Sequence, residues 1–126
     1  IEATCGKCHQ GATDANLKAG GDYDGDGKEA GLQTEVEGLL SLIEAKVTEE
    51  LAGGSFASAG GSIVFTSAAG AEITEVSNEV YQAAYNHILV VNDGSLGIHN
   101  PTFAVQLLQQ SFKGLTGEDV PGADML

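Results

Sequence analysis

The chain has 126 residues and a formal net charge of −13, from 18 acidic and 5 basic side chains. This length predicts one domain, residues 1–126, that is large enough to bury a hydrophobic core. The acidic balance argues against nucleic acid as a partner, because binding to phosphates depends on Lys and Arg, and it favours partner proteins with basic surfaces or bound cations. No run of 18 apolar residues occurs, so we expect no membrane span.

The only two cysteines lie in the N-terminal stretch TCGKCH, as Cys5 and Cys8, and His9 follows the second. In a C-x-x-C-H sequence the thiols can add to the two vinyl groups of a haem while the next imidazole binds the iron. The stretch therefore predicts one turn of helix with one haem c, attached through Cys5 and Cys8, and His9 as the proximal ligand of the iron. A haem would also help to fill the interior of the protein, because the chain has eighteen glycines and only seven aromatic residues.

Other interpretations of the two cysteines stay open. A thioredoxin-like redox pair has the same spacing but follows a β-strand, and only four residues precede Cys5. A zinc ion could use both cysteines and two histidines, although His87 and His99 lack the spacing of a structural zinc pair. The spacing of the two cysteines could also be a chance occurrence, without a common function. If they hold a haem, we expect a periplasmic or extracellular protein; the chain starts at Ile1 without a signal peptide and looks processed or trimmed.

The next motif is DYDGDG, residues 22–27, which places Asp22, Asp24 and Asp26 at alternate positions with glycines that permit a sharp turn. This is the first half of a calcium loop of EF-hand type, in which the carbonyl oxygen of Lys28 would be the fourth ligand. The motif therefore predicts a calcium ion as a second cofactor.

The second half of that calcium motif is incomplete. The acidic ligand expected at the twelfth position is replaced by Gln33, and Glu35 or Glu37 on the following helix could substitute for it. The alternative is a solvated acidic turn whose carboxylates favour the N-terminus of that helix.

Apolar residues at helical spacing predict amphipathic helices over residues 29–51 and 75–91. A third helix is predicted from Pro101 to about Leu115, with Asn100 as its N-cap. Residues 52–72 are rich in Gly, Ser and Ala and predict a loop or small hairpin, with a β-like run at residues 62–66, and we expect the acidic tail after Gly117 to be mobile. The fold class is therefore mainly α, with about three helices, long Gly-rich loops and a small β-hairpin around one haem.

Three residues could bind the iron opposite His9. His87 lies on the apolar face of the second helix, where a core histidine is the common alternative, and Met125 is next to the end of the chain. His99 lies in a glycine-flanked turn directly before the third helix, where a short segment can direct an imidazole inward or simply expose it. Position along the chain leaves the choice open.

The segment GIHNP, residues 97–101, follows AAYNHILVVNDGS and precedes FAVQLLQQS. This arrangement resembles the C-terminal segment of bacterial multihaem c-type cytochromes, and DYDGDGKEAGLQTEVEGLL is similar to a segment between haem sites in the same family. The resemblance implies that His99 is the distal ligand of the haem iron, with Asn86 and Asn100 as structural positions of the motif. The family carries several C-x-x-C-H motifs and this chain has one, so it is either a single-haem relative or the last domain of a longer protein.

An iron with two histidine ligands has no open position for a substrate, so the expected function is one-electron transport to redox partner proteins. Without a thioether ligand the haem should have a low reduction potential. Two alternatives stay open. One is an enzyme or gas sensor with five-coordinate haem, and the other is a subunit of a homo-oligomer or of a polymeric cytochrome assembly.

Overall fold

The structure is a computed structural model that describes residues 1–126. It contains three α-helices and one small antiparallel sheet, so the predicted mainly α fold is confirmed. In chain order the elements are a single 3-10 turn (Cys5–Lys7), α1 (Leu32–Glu50), β1 (Ser55–Ala59), β2 (Ser62–Thr66), β3 (Glu72–Ile73), α2 (Asn78–Asp93) and α3 (Pro101–Thr116). None of the helices is long and apolar enough to cross a membrane.

The three helices pack against one another, and α1 contacts both α2 and α3. Their apolar faces form one core, as the helical spacing predicted. Its completely buried side chains are Val36, Leu39, Ile43 and Val47 of α1, Ala83 and Ala84 of α2, and Val105 and Leu108 of α3. Small alanines on α2 let its backbone approach the larger side chains of α1 and α3, which keeps the core closely packed.

The helix ends follow the capping chemistry of the sequence. The Asn100 side chain accepts a hydrogen bond from the backbone N–H of Phe103, and Pro101 is the first residue of α3, which confirms both predictions. Helix α2 begins three residues later than predicted because Ser77 is its cap and accepts from the N–H of Val80. Gly117 ends α3 in the left-handed conformation, with φ of 78°.

Helix α1 also begins later than predicted, at Leu32. The residues before it are held by a neighbouring strand-like segment, because the N–H of Ala19 donates to the carbonyl of Ala30 and the N–H of Leu32 donates to that of Leu17. Lys18 and Gly31 form an isolated β-bridge between the two segments. Tertiary pairing therefore overrides the helical preference of residues 29–31.

The Gly-rich region between α1 and α2 forms the hairpin that was one of its two predicted conformations. Strand β2 coincides with the predicted β-like run, and it pairs with β1 so that Phe56 lies opposite Phe65. Gly60 and Gly61 make the two-residue loop with φ of 59° and 83°, conformations that only glycine adopts without strain. Phe65 is buried, so the hairpin covers one side of the core.

The prediction of a mobile acidic tail is wrong. Val120 is 2% exposed and belongs to the core. The N–H of Asp124 donates to the carbonyl of Asp22 at 2.7 Å, and the Gln109 side chain of α3 binds the backbone of Asp124 and Leu126. A single apolar anchor and a buried amide side chain hold the segment, although its composition is typical of a disordered end.

Candidate functional site

The N-terminal cysteines lie on a compact turn at the surface. The backbone N–H groups of Cys8 and His9 both donate to the carbonyl of Cys5, at 3.1 and 2.8 Å, which keeps the three residues of the motif together. Both cysteines are free thiols, with Cys5 half-buried and Cys8 exposed, and the His9 side chain is exposed as well. No residue in the first twenty is buried. The thiols and the imidazole are therefore accessible to a large ligand.

His99 lies in the loop between α2 and α3, and its side chain is 72% exposed. Its Nδ1 is 3.0 Å from Oδ1 of Asp93, at the end of α2, and its backbone N–H donates to Oγ of Ser95 at 3.2 Å. The Ser95 hydroxyl also donates to the second carboxylate oxygen of Asp93. Hydrogen bonds from Ser95 and His99 hold the pKa of Asp93 below its ordinary value. The carboxylate thus occupies Nδ1 and leaves Nε2 for another partner.

The exposed His99 side chain lies at the edge of a partly apolar surface cavity. This cavity of about 160 Å³ is lined by His99 and by Leu89, Val90, Phe103 and Ala104, among others. Leu89 and Phe103 remain 42% and 50% exposed, so they offer apolar area that a ligand can cover. The cavity is too small to enclose a macrocycle, which usually needs a pocket of roughly 300–1,000 Å³, but its apolar lining could cover one edge of such a ligand beside the imidazole.

The segments that carry His9 and His99 are attached to the same end of α1. The Asn16 side chain exchanges two hydrogen bonds with Thr34, at 2.8 and 3.2 Å, and the Gln33 side chain donates to the carbonyl of Ser95 at 3.1 Å. His9 itself lines a polar surface pocket formed by the residues that follow it, separate from the cavity beside His99. The structure therefore ties both segments to the first turn of α1 while each imidazole lies in its own pocket.

The other two candidate iron ligands lie elsewhere. His87 packs edge-on against the ring of Phe56 with 5.1 Å between centroids, and its side chain is only 14% exposed. Burial lowers the pKa of His87, and the Glu44 carboxylate, 3.8 Å from Nε2, partly opposes that shift. Met125 is 37% exposed at the end of the chain. Neither lines the cavity beside His99, and His87 packs on Phe56 with its buried Nδ1 unpaired.

The acidic loop brings Asp22, Asp24 and Glu35 together, with one carboxylate oxygen from each within 4.8 Å of the others. Of the two glutamates considered for this role, Glu35 is the one that contacts the loop, and it is 1% exposed. Its Oε2 accepts from the N–H of Tyr23 at 2.8 Å and of Asp24 at 3.3 Å, while Oε1 accepts from that of Ala30 at 2.7 Å. The buried glutamate therefore organises both ends of the loop.

Like charges are crowded at this point. Burial raises the pKa of Asp24, the nearby carboxylates of Glu35, Asp26 and Asp22 raise it further, and a hydrogen bond from the Asp26 backbone opposes the rise. Asp26 is not part of the three-carboxylate group, and its Oδ1 accepts from the N–H of Lys28 at 2.8 Å. A bound cation would relieve this repulsion, and carboxylate oxygens are ligands that calcium prefers.

The two asparagines of the resemblance have structural contacts. The Asn86 side chain donates to Oγ of Ser111 at 2.8 Å and so joins α2 to α3, while Asn100 caps α3 directly after His99. Together they hold the two helices that flank the loop carrying His99.

No protein-family model, curated protein or solved structure matches this chain. The sequence motifs and the geometry of the site therefore carry the functional argument. Sequence reasoning missed Asp93, the carboxylate that binds His99. No local pattern singles out Asp93 among the 18 acidic residues, because its contact with His99 depends on how the loop after α2 folds.

Proposed function

We propose that this chain is a c-type cytochrome domain that transports single electrons through one covalently attached haem. The observation that carries the proposal is the C-x-x-C-H sequence on an exposed turn, with Cys8 and His9 exposed and the Cys5 thiol free. A covalent cofactor needs accessible thiols and an adjacent imidazole, and the local hydrogen bonds to Cys5 supply that arrangement.

The residues have separate tasks in this proposal. Cys5 and Cys8 would anchor the porphyrin, and His9 and His99, which line separate surface pockets in this structure, would each supply an imidazole to the iron. When bound, the haem supplies one-electron chemistry between ferric and ferrous iron. Leu89 and Phe103, which line the cavity beside His99, would cover part of the macrocycle there. Two imidazole ligands and no thioether give a low reduction potential.

The net charge of −13 favours a redox partner with a basic surface. Acidic side chains attract a basic partner surface and increase the rate of encounter, and this increase falls as salt screens the charges. We propose a periplasmic or extracellular location, where haem c attachment takes place. Electron transfer to a basic acceptor should therefore slow as ionic strength rises.

The test is the optical and EPR spectrum of the purified ferric protein and of two histidine variants. We expect the wild type to retain its pigment in acidified organic solvent and to be low-spin. The His99→Ala variant should become high-spin, because one axial ligand is lost, and His87→Ala is the matched control that should stay low-spin. A high-spin wild type would instead support the five-coordinate enzyme or sensor, and a colourless protein would overturn the proposal.

We also propose that Asp22, Asp24 and Glu35 bind a calcium ion that ties the haem-bearing segment to α1. The oxygens of the three carboxylates lie within 4.8 Å of one another, close enough to share one cation, and the cation would offset the repulsion between their charges. Free calcium at roughly 100-fold above its Kd should stabilise the fold by about 2.7 kcal/mol.

Thermal unfolding with calcium and with a chelator tests this second proposal. We expect calcium to raise Tm in the wild type and in Glu37→Gln, whose side chain is exposed. In Glu35→Gln the calcium-dependent part of the shift should disappear, whatever the variant's starting stability. Equal shifts in the two variants would show that Glu35 is not a ligand.

A further inference from the structure

Asp93 and His99 form a pair that the loop between α2 and α3 folds together. Gly94 ends α2 in the left-handed conformation with φ of 74°, and Gly97 has φ of 87°. A Cβ atom on Gly97 would lie 3.0 Å from Cγ2 of Val36, so the loop passes close against α1. This close passage positions Nδ1 of His99 at 3.0 Å from the Asp93 carboxylate.

We propose that Asp93 is a positioning residue that selects the tautomer and the ring direction of His99, so that Nε2 is the atom offered to the haem iron. This inference rests on the proposed function. A neutral imidazole has one N–H and one lone pair, and donation of Nδ1–H to a carboxylate leaves the lone pair on Nε2. Histidines that bind metals commonly use such an acceptor to set their orientation.

The contact between Asp93 and His99 should also change the reduction potential of the iron. A carboxylate acceptor makes the imidazole a stronger electron donor, which favours ferric over ferrous iron and lowers the reduction potential. Ser95 acts in the opposite direction, because its hydroxyl donates to the other oxygen of Asp93 and draws charge away from the bond to His99. Asp93 and Ser95 should therefore shift the potential with opposite signs when each is replaced.

The experiment compares holoprotein variants by redox titration and by the g values of the ferric EPR spectrum. Asp93→Asn keeps the size of the side chain and an acceptor oxygen but removes the negative charge. We expect its iron to stay low-spin and its reduction potential to rise. The rise should be about 59 mV for each tenfold decrease in the ratio of the affinities of His99 for ferric and for ferrous iron. Asp119→Asn is the matched control, since it removes the same charge from an ion pair with Lys113, 2.9 Å away. Its potential should change much less.

Ser95→Ala gives an independent answer if Asp93→Asn does not fold. We expect this variant to lower the potential, a reversal that loss of stability alone would not produce. The inference is overturned if Asp93→Asn matches Asp119→Asn in potential and g values, or if Ser95→Ala raises the potential. Neither outcome touches the proposed electron transport. A low-spin His99→Ala would overturn this inference and the assignment of His99 as an iron ligand, whereas a colourless wild type would overturn the proposed function as well.

Discussion

The N-terminal turn, residues 4–9, and the acidic loop, residues 22–28, are held in different ways. The backbone hydrogen bonds of the turn run only to Ile1, Cys5 and His9, and none of its residues is buried. The acidic loop receives contacts from three distant parts of the chain. They are Glu35 of α1, Gln109 of α3 and Asp124 of the C-terminal segment. The N-terminal turn carries a distinctive motif and is held by local hydrogen bonds. The acidic loop carries a less distinctive motif and is held by residues from other parts of the chain.

This difference follows from what each region has to do in the proposed function. A covalently attached cofactor is held by bonds, so the turn needs accessible thiols more than it needs buried contacts. A loop of like charges is held together only if each backbone group that it buries finds a partner, because a buried unpaired polar group is strongly unfavourable. Changes in the turn should therefore alter the cofactor, and changes around the loop should alter stability.

The largest effect should come from replacing both cysteines. Cys5→Ser with Cys8→Ser removes the two thioether bonds, and we expect complete loss of covalently bound haem, measured as pigment that stays with the protein in acidified organic solvent. Because no residue in the first twenty is buried, far-UV circular dichroism should still show the helices. Covalent pigment in the double variant would refute the role of the turn.

The next largest effect should come from Gln109, which is 0% exposed. Its Nε2 donates to the carbonyls of Tyr23 and Asp124, at 3.1 and 2.9 Å. Gln109→Leu leaves the buried Tyr23 carbonyl and the partly buried Asp124 carbonyl without this partner, so the free energy of unfolding in urea should fall by about 2–3 kcal/mol. Gln110→Leu, at an exposed position, should change it by less than about 0.5 kcal/mol. Similar losses of stability in the two variants would mean that the acidic loop does not depend on the hydrogen bonds of Gln109.

A smaller effect is expected at Gly38, where a Cβ atom would lie 1.7 Å from Oδ2 of Asp24. Gly38→Ala must displace the acidic loop and should destabilise the protein by about 1–3 kcal/mol in the same assay. Gly114→Ala is the matched helical control, because nothing lies within 4 Å of its added Cβ, and it should stabilise α3 by about 0.5–1 kcal/mol. A gain in stability for Gly38→Ala would contradict the close packing of α1 on the loop.

The smallest effect concerns His87, which belongs to neither region and serves as a reference. Its pKa is lowered in the folded state, so the unfolded chain binds more protons just below the ordinary value of about 6.5. Stability should therefore fall as the pH drops from about 7 through this range, and His87→Gln should remove that part of the dependence. Urea unfolding at several pH values measures it, and identical profiles for the two proteins would contradict the burial of the imidazole.

Local patterns were sufficient for most of the secondary structure. The spacing of apolar residues located three helices, and Asn100 with Pro101 located the start of α3, because both signals act within one or two turns. The start of α1 and the order of the C-terminal segment were mispredicted. Both depend on partners far along the chain, namely the pairing of Lys18 with Gly31 and the buried Gln109.

The sequence by itself places two thiols and an imidazole within six residues at the N-terminus, and the proposed haem attachment rests on that local spacing. Only the tertiary structure decided that Glu35 faces the acidic loop, that Asp93 binds His99 and that His87 packs against Phe56. Burial, shared hydrogen bonds and like-charge repulsion arise between residues that folding brings together, and no local pattern encodes which carboxylate will reach which partner.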